Sequence, residues 1–261
     1  MPVAKQIFRK IVSLAPSNTN LLFRFGLQSK IIGATEYDKH LFSQEFHPEI
    51  VTGWLNANFE KISMLKPDLI LTSTFLQEAL ANKLLEKGFT VKHFDVNNLE
   101  GIRDSIFELG KLFSLTSKAR ALILEFDFGL QKISEKSKNL PRKRVYCEEW
   151  NSPPMVSGNW VPELLRIAGG IPMSSAGEPS RKFEFKELQN FDPEIIVLHW
   201  CGFGEKINVQ EVLDRPGWNS LRAVREKKVF VINDAYLNSP DLGLLRGAEK
   251  LQEIIEGVGF D

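Results

Sequence analysis

Two segments of the chain share one pattern of residue types without a gap. FEKISMLKPDLILT begins at Phe59 and FKELQNFDPEIIVL begins at Phe185, an offset of 126 residues. In each segment an amphipathic helical stretch ends before a proline and an acidic residue, and an apolar run typical of a buried strand follows. The repetition predicts two similar α/β halves.

Short β-rich runs recur along the chain, mostly with helical stretches between them. They occupy residues 10–14, 31–34, 69–72, 90–96, 143–147, 195–199 and 228–232. After the first run, Ser17, Asn18 and Thr19 are candidate caps for a helix from Asn20 to Phe25, which Gly26 ends. Strands that alternate with helices indicate parallel sheets. We therefore predict the α/β fold class, with two Rossmann-like lobes and a parallel sheet in each.

A single apolar stripe lies between the two halves. Its members fall at helical spacing and are Ala119, Leu122, Ile123, Phe126, Leu130 and Ile133. A helix from Thr116 to about Lys138 would be about 33 Å long, enough to join two lobes. The predicted organisation is an N-terminal lobe at 1–112, a bridging helix at 113–140 and a C-terminal lobe at 141–261, with a ligand cleft between the lobes.

The charge balance and the hydropathy exclude several classes of partner. Lysine plus arginine equals aspartate plus glutamate at 33 each, so no net field attracts nucleic acid. No apolar run approaches the ~20 residues that span a bilayer, and we expect a monomer that is not inserted in a membrane. The first residues lack a secretory signal, since Arg9 and Lys10 interrupt the apolar stretch. We expect a cytoplasmic location, or a periplasmic or cell-surface one if a signal has been removed.

The sequence contains none of the common enzyme motifs for phosphate loops, nucleophile elbows, zinc proteases or dinucleotides. Glu148 and Glu149 are adjacent, and neighbouring side chains of a strand point to opposite faces, so they form no acid/base pair. We predict a binding protein without catalytic residues, resident metal or required cofactor. His40, His199 and Cys201 remain candidates for touching the metal of a bound ligand, although ordinary structural roles are favoured.

Four tryptophans fall in predicted loops or at strand ends: Trp54, Trp150, Trp160 and Trp200. Loops that follow parallel strands lie at the carboxyl edge of the sheet, where α/β folds bind ligands. Aromatic walls suit a large, flat, apolar ligand, with a few polar groups for its rim. Candidates for those polar groups are Asn18, Thr19, Asn151, Ser152 and Asn159.

Several strings resemble the helical-backbone class of ABC-transporter substrate-binding proteins, which bind cobalamin, haem or iron-siderophore complexes. They include IVSLAPSNTNLLFRFGL, IIGATEYD, NFEKISMLKPDLIL and KRVYCEEWNSPPMVSGNWVPELLRIAGG. HWCGFG and RPGWNSLRAVREKKVFVIN are similar to strings of the cobalamin-binding branch. The resemblance covers nearly the whole chain.

The resemblance implies roles for individual residues. Trp54 and Tyr37 would line the corrin site, and Phe203 of HWCGFG joins the predicted ligand-binding residues. Glu60, six residues after Trp54, would dock onto an arginine of the membrane permease. A second docking glutamate is expected where this chain has Lys186, and the nearby acidic candidates are Glu184 and Glu187.

The function implied is capture of a corrinoid, such as cobalamin, for delivery to an ABC importer. One alternative is a cytoplasmic corrinoid carrier or sensor that has no permease partner. Another is the same fold with haem or an iron-siderophore as the ligand. Anionic siderophores usually call for arginines in the cleft, and the predicted loops show no arginine cluster.

Overall fold

The computed structural model describes residues 7–53 and 55–257. The chain divides into two compact units, residues 1–96 with 100–123 and residues 97–99 with 124–261. The division falls inside helix α5 (Thr116–Ser137). This helix lies within the predicted bridging segment, residues 113–140. The predicted apolar stripe of α5 is buried except at Ile123, which is half-buried.

The described part of unit 1 contains a five-stranded parallel sheet in the order β3-β2-β1-β4-β5. Its strands are β1 (Ile11–Ser13), β2 (Ile31–Thr35), β3 (Glu49–Thr52), β4 (Leu69–Ser73) and β5 (Val91–Phe94). The helices that begin in or near this unit are α1 (Pro16–Arg24), α2 (Phe59–Leu65), α3 (Glu78–Glu86) and α4 (Leu99–Leu112), and 3₁₀ turns occupy Gln28–Lys30, Glu36–Leu41 and Phe75–Gln77.

Helix α1 begins four residues earlier than the sequence predicts. Pro16 occupies its first turn, where the fixed φ of proline favours a helix start, and the N-cap residue Ala15 makes no side-chain cap. Ser17, Asn18 and Thr19 are therefore buried helical residues, and their predicted capping role is wrong.

Unit 2 contains a mixed sheet, which within the described residues has six strands. Its main path is β11-β10-β6-β7-β9, and β8 pairs with β6. The strands are β6 (Lys143–Asn151), β7 (Pro154–Val156), β8 (Gly170–Pro172), β9 (Arg181–Lys182), β10 (Ile195–Leu198) and β11 (Val229–Val231). The helices are α6 (Val161–Ile167), α7 (Phe185–Phe191), α8 (Gln210–Leu213), α9 (Arg222–Arg225) and α10 (Leu244–Gly257).

The prediction of a wholly parallel sheet is wrong for unit 2. Strand β6 continues to Asn151, and the chain then turns back as β7, antiparallel to β6. The segment from the end of β6 to the start of α6, where Trp150 and Trp160 lie, is therefore a hairpin followed by a short loop. The pairs formed by β6 with β8 and β10, and by β10 with β11, are parallel as predicted.

The two segments with matching sequence have matching structure. Helices α2 and α7 each span seven residues, and each ends at a residue in the left-handed conformation, Lys66 with φ 50° and Asp192 with φ 44°. Each leads into a buried parallel strand of its own unit, β4 and β10. The predicted repeat is confirmed at the level of both elements.

The acidic residue before each of these strands binds the amino end of the neighbouring strand. The Asp68 carboxylate accepts hydrogen bonds from the backbone N–H groups of Arg9 and Lys10, at 2.7 and 3.0 Å. Glu194 accepts one from the N–H of Arg144 at 3.0 Å. The repeat therefore fixes the amino edge of each sheet and leaves the carboxyl edge free to differ.

Candidate functional site

Exposed apolar side chains follow three strands of the sheet in unit 1, β2, β3 and β4. Tyr37 lies in the 3₁₀ turn after β2 and is 51% exposed. Leu55 follows β3, and Phe75 and Leu76 follow β4, all three exposed. The carboxyl ends of parallel strands meet at one edge of a sheet, so these side chains share an edge, which we call the unit 1 aromatic edge. Exposed apolar side chains at the carboxyl edge of an α/β sheet are candidates for ligand contact.

A buried carboxylate holds the turn that carries Tyr37. Asp38 is fully buried, and its Oδ2 accepts hydrogen bonds from the N–H and the hydroxyl of Thr35, at 2.8 and 2.7 Å. Burial raises the pKa of Asp38. His40, at the exposed end of the same turn, has Nδ1 2.8 Å from the Tyr37 carbonyl oxygen. The backbone around Tyr37 is thus held from both sides.

Asn18, a predicted ligand contact, lies inside helix α1 and is 2% exposed. Its Nδ2 has no hydrogen-bond partner among the described residues, and the same is true of Asp38 Oδ1 and Thr74 Oγ1. These residues follow the neighbouring strands β1, β2 and β4. Asn18 therefore offers no exposed surface to a ligand. Trp54, which is also predicted to contact the ligand from this lobe, lies outside the described residues.

Two exposed aromatic side chains lie at the carboxyl edge of the sheet in unit 2. Trp150 near the end of β6 and Phe203 after β10 are each 40% exposed. The Trp150 Nε1–H donates to the Ser152 carbonyl oxygen at 3.0 Å. The two segments stay hydrogen-bonded beyond β10, where the Cys201 N–H donates to the Glu149 carbonyl oxygen at 3.1 Å. Trp150 and Phe203 therefore belong to one edge, the unit 2 aromatic edge.

The other two described candidate tryptophans are in the interior of unit 2. Trp200 is 1% exposed and its Nε1–H donates to Glu148 Oε1 at 2.8 Å. Trp160 is 3% exposed and its Nε1–H donates to the Leu237 carbonyl oxygen at 2.7 Å. The assumption that a loop position keeps these tryptophans exposed is wrong, because each indole N–H has a partner inside the unit.

A buried ion pair supports the unit 2 aromatic edge. Arg215 binds the fully buried Glu148 with both guanidinium nitrogens, each N–O distance being 2.7 Å. The Tyr146 hydroxyl donates to the same carboxylate at 2.7 Å, and burial holds the pKa of Tyr146 well above its usual value. The guanidinium lies over the rings of Trp218 and Trp200, at 4.5 and 5.8 Å from their centroids. Every polar atom of the carboxylate is therefore satisfied, as a buried charge requires.

Glu148 and Glu149 bind different partners, in line with their predicted opposite faces. The Glu149 carboxylate accepts a hydrogen bond from the Ser180 hydroxyl and lies 3.7 Å from Cys201 Sγ. Burial raises the pKa of Glu149 and that of the Cys201 thiol. Neither carboxylate is arranged with the other for proton transfer.

His199 is fully buried, and both of its ring nitrogens are engaged. Nδ1 is 2.5 Å from Asn238 Oδ1, and Nε2 is 2.6 Å from Ser157 Oγ. The Asn238 amide nitrogen donates to the His199 carbonyl oxygen, which leaves Asn238 Oδ1 to accept from Nδ1–H. The Ser157 hydroxyl that faces Nε2 also donates to the Cys147 carbonyl oxygen at 3.0 Å. Burial lowers the pKa of His199 to about 4. Both sides of the imidazole are therefore occupied by side chains of unit 2.

The described ranges contain no group of three or more histidine, cysteine, aspartate or glutamate side chains that could hold a metal ion. In the same ranges, no helix is long and apolar enough to cross a membrane.

The predicted docking glutamates lie on helices α2 and α7. Glu60 is exposed in the first turn of α2. In α7 the same position is taken by Lys186, which is exposed. Glu187 is bound by both guanidinium nitrogens of Arg181, at 3.1 and 2.5 Å, whereas Glu184 is exposed at the N-cap position and makes no cap hydrogen bond. Near the start of α7, Glu184 is thus more accessible to a partner than Glu187 is.

The sequence profile of the periplasmic binding protein family matches residues 11–236. The chain belongs to this family. The family resemblance and the two-lobed α/β fold predicted from the sequence are confirmed.

Relatives of this periplasmic binding protein include two named bacterial proteins. An uncharacterized ABC transporter substrate-binding lipoprotein of Bacillus subtilis is 26% identical over 257 residues, which cover 95% of this chain and 80% of that protein. A vitamin B12-binding protein of Vibrio cholerae is 26% identical over 249 residues, covering 93% and 87%. The structure of Staphylococcus aureus IsdE complexed with heme has a TM-score of 0.83 at 19% identity, with 94% and 98% of the two chains covered, and shows the shared fold.

The family membership corrects the expected cytoplasmic location. The matching family is that of periplasmic binding proteins, and the Bacillus subtilis relative is a lipoprotein. These findings point to a location outside the cytoplasm.

Sequence reasoning missed part of the aromatic edge of this periplasmic binding protein. Leu55, Phe75 and Leu76 are exposed apolar residues that no family string singles out. The sequence does contain a signal for two of them, since Phe75 and Leu76 come one residue after the buried run LILTS, where a loop at the carboxyl edge begins. Leu55 follows a short strand, EIVT, that the pattern of apolar runs did not reveal.

Proposed function

We propose that this periplasmic binding protein captures a corrinoid and presents it to an ABC importer, without a cofactor of its own. The observation that carries the proposal is the pair of aromatic edges, with Tyr37 exposed in unit 1 and Trp150 and Phe203 exposed in unit 2. A corrinoid is a broad disc with apolar faces and an amide-bearing rim. Such a ligand needs apolar walls more than it needs charged partners. The vitamin B12-binding relative supports the same ligand class.

The free energy that these side chains can contribute to binding is close to the cost of association, so their positions need to be fixed before the ligand binds. Three aromatic side chains that each lost ~100 Å² of exposed surface would contribute roughly 7 kcal/mol at ~25 cal/mol per Å². Association costs about 4 to 15 kcal/mol in lost freedom. Tight binding therefore depends on side chains that are already in place, and Asp38 and the Glu148–Arg215 ion pair hold the two edges in this way.

The chemistry of the described residues favours a corrinoid over the alternative ligands. An anionic iron-siderophore calls for unpaired arginines, and Arg215, which reaches the Asn151 carbonyl oxygen at 3.4 Å, is already neutralised by Glu148. Haem is often held by an axial histidine. Both nitrogens of His199 are engaged, which leaves the exposed His40, with Nδ1 2.8 Å from the Tyr37 carbonyl oxygen, as the candidate histidine that a haem would require. The amide rim of a corrinoid requires neither group.

For delivery to the importer, we propose docking through Glu60 and Glu184. Both are exposed acidic side chains at the start of matching helices. Glu187, an alternative, is neutralised by Arg181. The ligand cleft that the resemblance implies stays a prediction.

A ligand panel tests the proposed function. Cyanocobalamin, haemin and a ferric hydroxamate are titrated separately against tryptophan fluorescence and by calorimetry, with N-acetyltryptophanamide as the control for light absorbed by the ligand. We expect a submicromolar Kd for cyanocobalamin with quenched emission, and much weaker binding of the other two. Saturable binding of haemin or the hydroxamate, with no heat from cyanocobalamin, would refute the corrinoid assignment.

A further inference from the structure

The Phe203 side chain is presented by a loop whose backbone is held on both sides of it. Gly202 and Gly204 both have positive φ, 82° and 56°. The Gly202 N–H donates to Asp234 Oδ2 at 2.7 Å, and the Gly204 N–H donates to Asp234 Oδ1 at 2.9 Å. One carboxylate therefore bridges the two amides that flank the exposed ring.

The two glycines are flexible residues, and the Asp234 carboxylate restrains their backbone. A Cβ at Gly202 would meet no atom within 4 Å, so the residue is required by its backbone conformation and not by lack of space. Glycine is the residue with the greatest conformational freedom in the absence of other restraints. Asp234, in the 3₁₀ turn Asp234–Tyr236 after β11, restrains both glycines from outside the loop.

Neighbouring contacts fix the start of the loop and the ring itself. The Asn238 Nδ2 donates to the His199 carbonyl oxygen at 3.1 Å and lies 3.0 Å from Cys201 Sγ. The Phe203 ring packs edge-on against buried Trp200, with centroids 5.5 Å apart. The segment before Gly202 is thus fixed by side chains. Within the Gly-Phe-Gly turn, the Phe203 N–H donates to the Trp200 carbonyl oxygen at 3.1 Å and the Phe203 carbonyl oxygen accepts from the Lys206 N–H at 3.0 Å, whereas both glycine N–H groups depend on Asp234.

We infer that Asp234 is a positioning residue that sets ligand affinity by holding Phe203 in its exposed conformation before the ligand arrives. The inference rests on the proposed function, in which Phe203 contacts the ligand. The two carboxylate oxygens supply the two acceptors that the turn needs. Asparagine would supply one acceptor oxygen and one NH2 group, and that NH2 group would face a backbone N–H.

The test combines amide exchange with a double-mutant cycle. In Asp234→Asn we expect the Gly202 and Gly204 amides to exchange about tenfold faster by NMR, and the Kd for cyanocobalamin to rise about tenfold. In a Phe203→Ala background, Asp234→Asn should change that Kd by less than about twofold, because the side chain that Asp234 positions is gone.

Asp68→Asn is the matched control. Asp68 also accepts from two backbone N–H groups, at the amino edge of unit 1, so its replacement should lower stability and leave the Kd within about twofold. An equal loss of affinity in the Phe203→Ala background would overturn the inference, since Asp234 would then act on the ligand directly. Unchanged exchange in Asp234→Asn would overturn it as well, even if cyanocobalamin does not bind. Failure of cyanocobalamin to bind the wild type, with faster exchange in the variant, would refute the proposed function and leave the restraint on the loop established.

Discussion

In both units a carboxylate binds the backbone at the amino edge of the sheet. At the carboxyl edge, each unit has a buried carboxylate, but its partners differ between the units. Asp68 and Glu194 each bind the backbone at the start of a strand. At the carboxyl edge, Asp38 is buried against a threonine, whereas Glu148 is buried against an arginine. The shared edge preserves the fold, and the edge that differs carries the exposed aromatic residues. The proposed ligand contacts thus lie at the edges that differ, on a repeated scaffold.

The electrostatic difference has consequences for stability. Asp38 is held by neutral donors, and burial raises its pKa. Glu148 instead has a guanidinium partner that makes two charge-assisted hydrogen bonds with it. Removing that partner would leave a carboxylate without compensation inside unit 2, so unit 2 should be the more sensitive to loss of a single charge.

The largest expected effect is that of Arg215→Met. The substitution keeps most of the side-chain volume and leaves Glu148 buried without a cation, which should cost about 3–5 kcal/mol in the free energy of unfolding. Urea denaturation followed by circular dichroism measures it. Lys61→Met in unit 1 breaks an exposed pair with Glu49 and is the control, expected within about 1 kcal/mol of wild type. An equal change in the free energy of unfolding for the two substitutions would contradict the greater sensitivity of unit 2.

A somewhat smaller effect is expected from pH, through His199. Burial lowers its folded-state pKa to about 4, below the unfolded value of about 6.5, so the unfolded chain binds more protons between these values. The associated stability is fully present above about pH 6.5 and is lost as the pH falls towards 4, up to about 3 kcal/mol. Urea denaturation at pH 7.5 and 4.5 measures the loss.

The matched variant is His199→Gln, which should lose less stability than wild type over the same pH interval.

His93 of unit 1 is only partly buried, and its pKa is also lowered by burial. His93→Gln should therefore change the pH dependence less than His199→Gln does. A pH dependence that persists unchanged in His199→Gln would show that other groups are responsible.

The elements that the sequence predicts are those with a strong local pattern. The apolar stripe of α5 and the paired segments α2–β4 and α7–β10 follow from residue spacing alone. The hairpin β6–β7 was missed because Pro153, Pro154 and Gly158 are typical of loops. Strand β3 was missed because a four-residue run carries little periodicity.

The exposure of individual side chains was harder to predict, because it depends on partners far away in the sequence. The buried Trp160 donates a hydrogen bond to Leu237, which is 77 residues away in the sequence. The buried Trp200 donates one to Glu148, which is 52 residues away. No local pattern contains either contact. Tyr37, Trp150 and Phe203 were predicted as ligand contacts and are exposed, but their contact with a ligand stays a prediction.

The contrast between exposed and buried tryptophans gives the most direct test of the central claim. The measurement is the Kd for cyanocobalamin in Trp150→Ala and Trp160→Phe, with thermal unfolding recorded for both. Trp150→Ala should weaken binding about tenfold or more, because it removes apolar contact surface from the unit 2 aromatic edge. Trp160→Phe should lower stability by about 1 kcal/mol through loss of its hydrogen bond and leave the Kd within about twofold. Wild-type affinity in Trp150→Ala, or an equal loss in Trp160→Phe, would contradict the account.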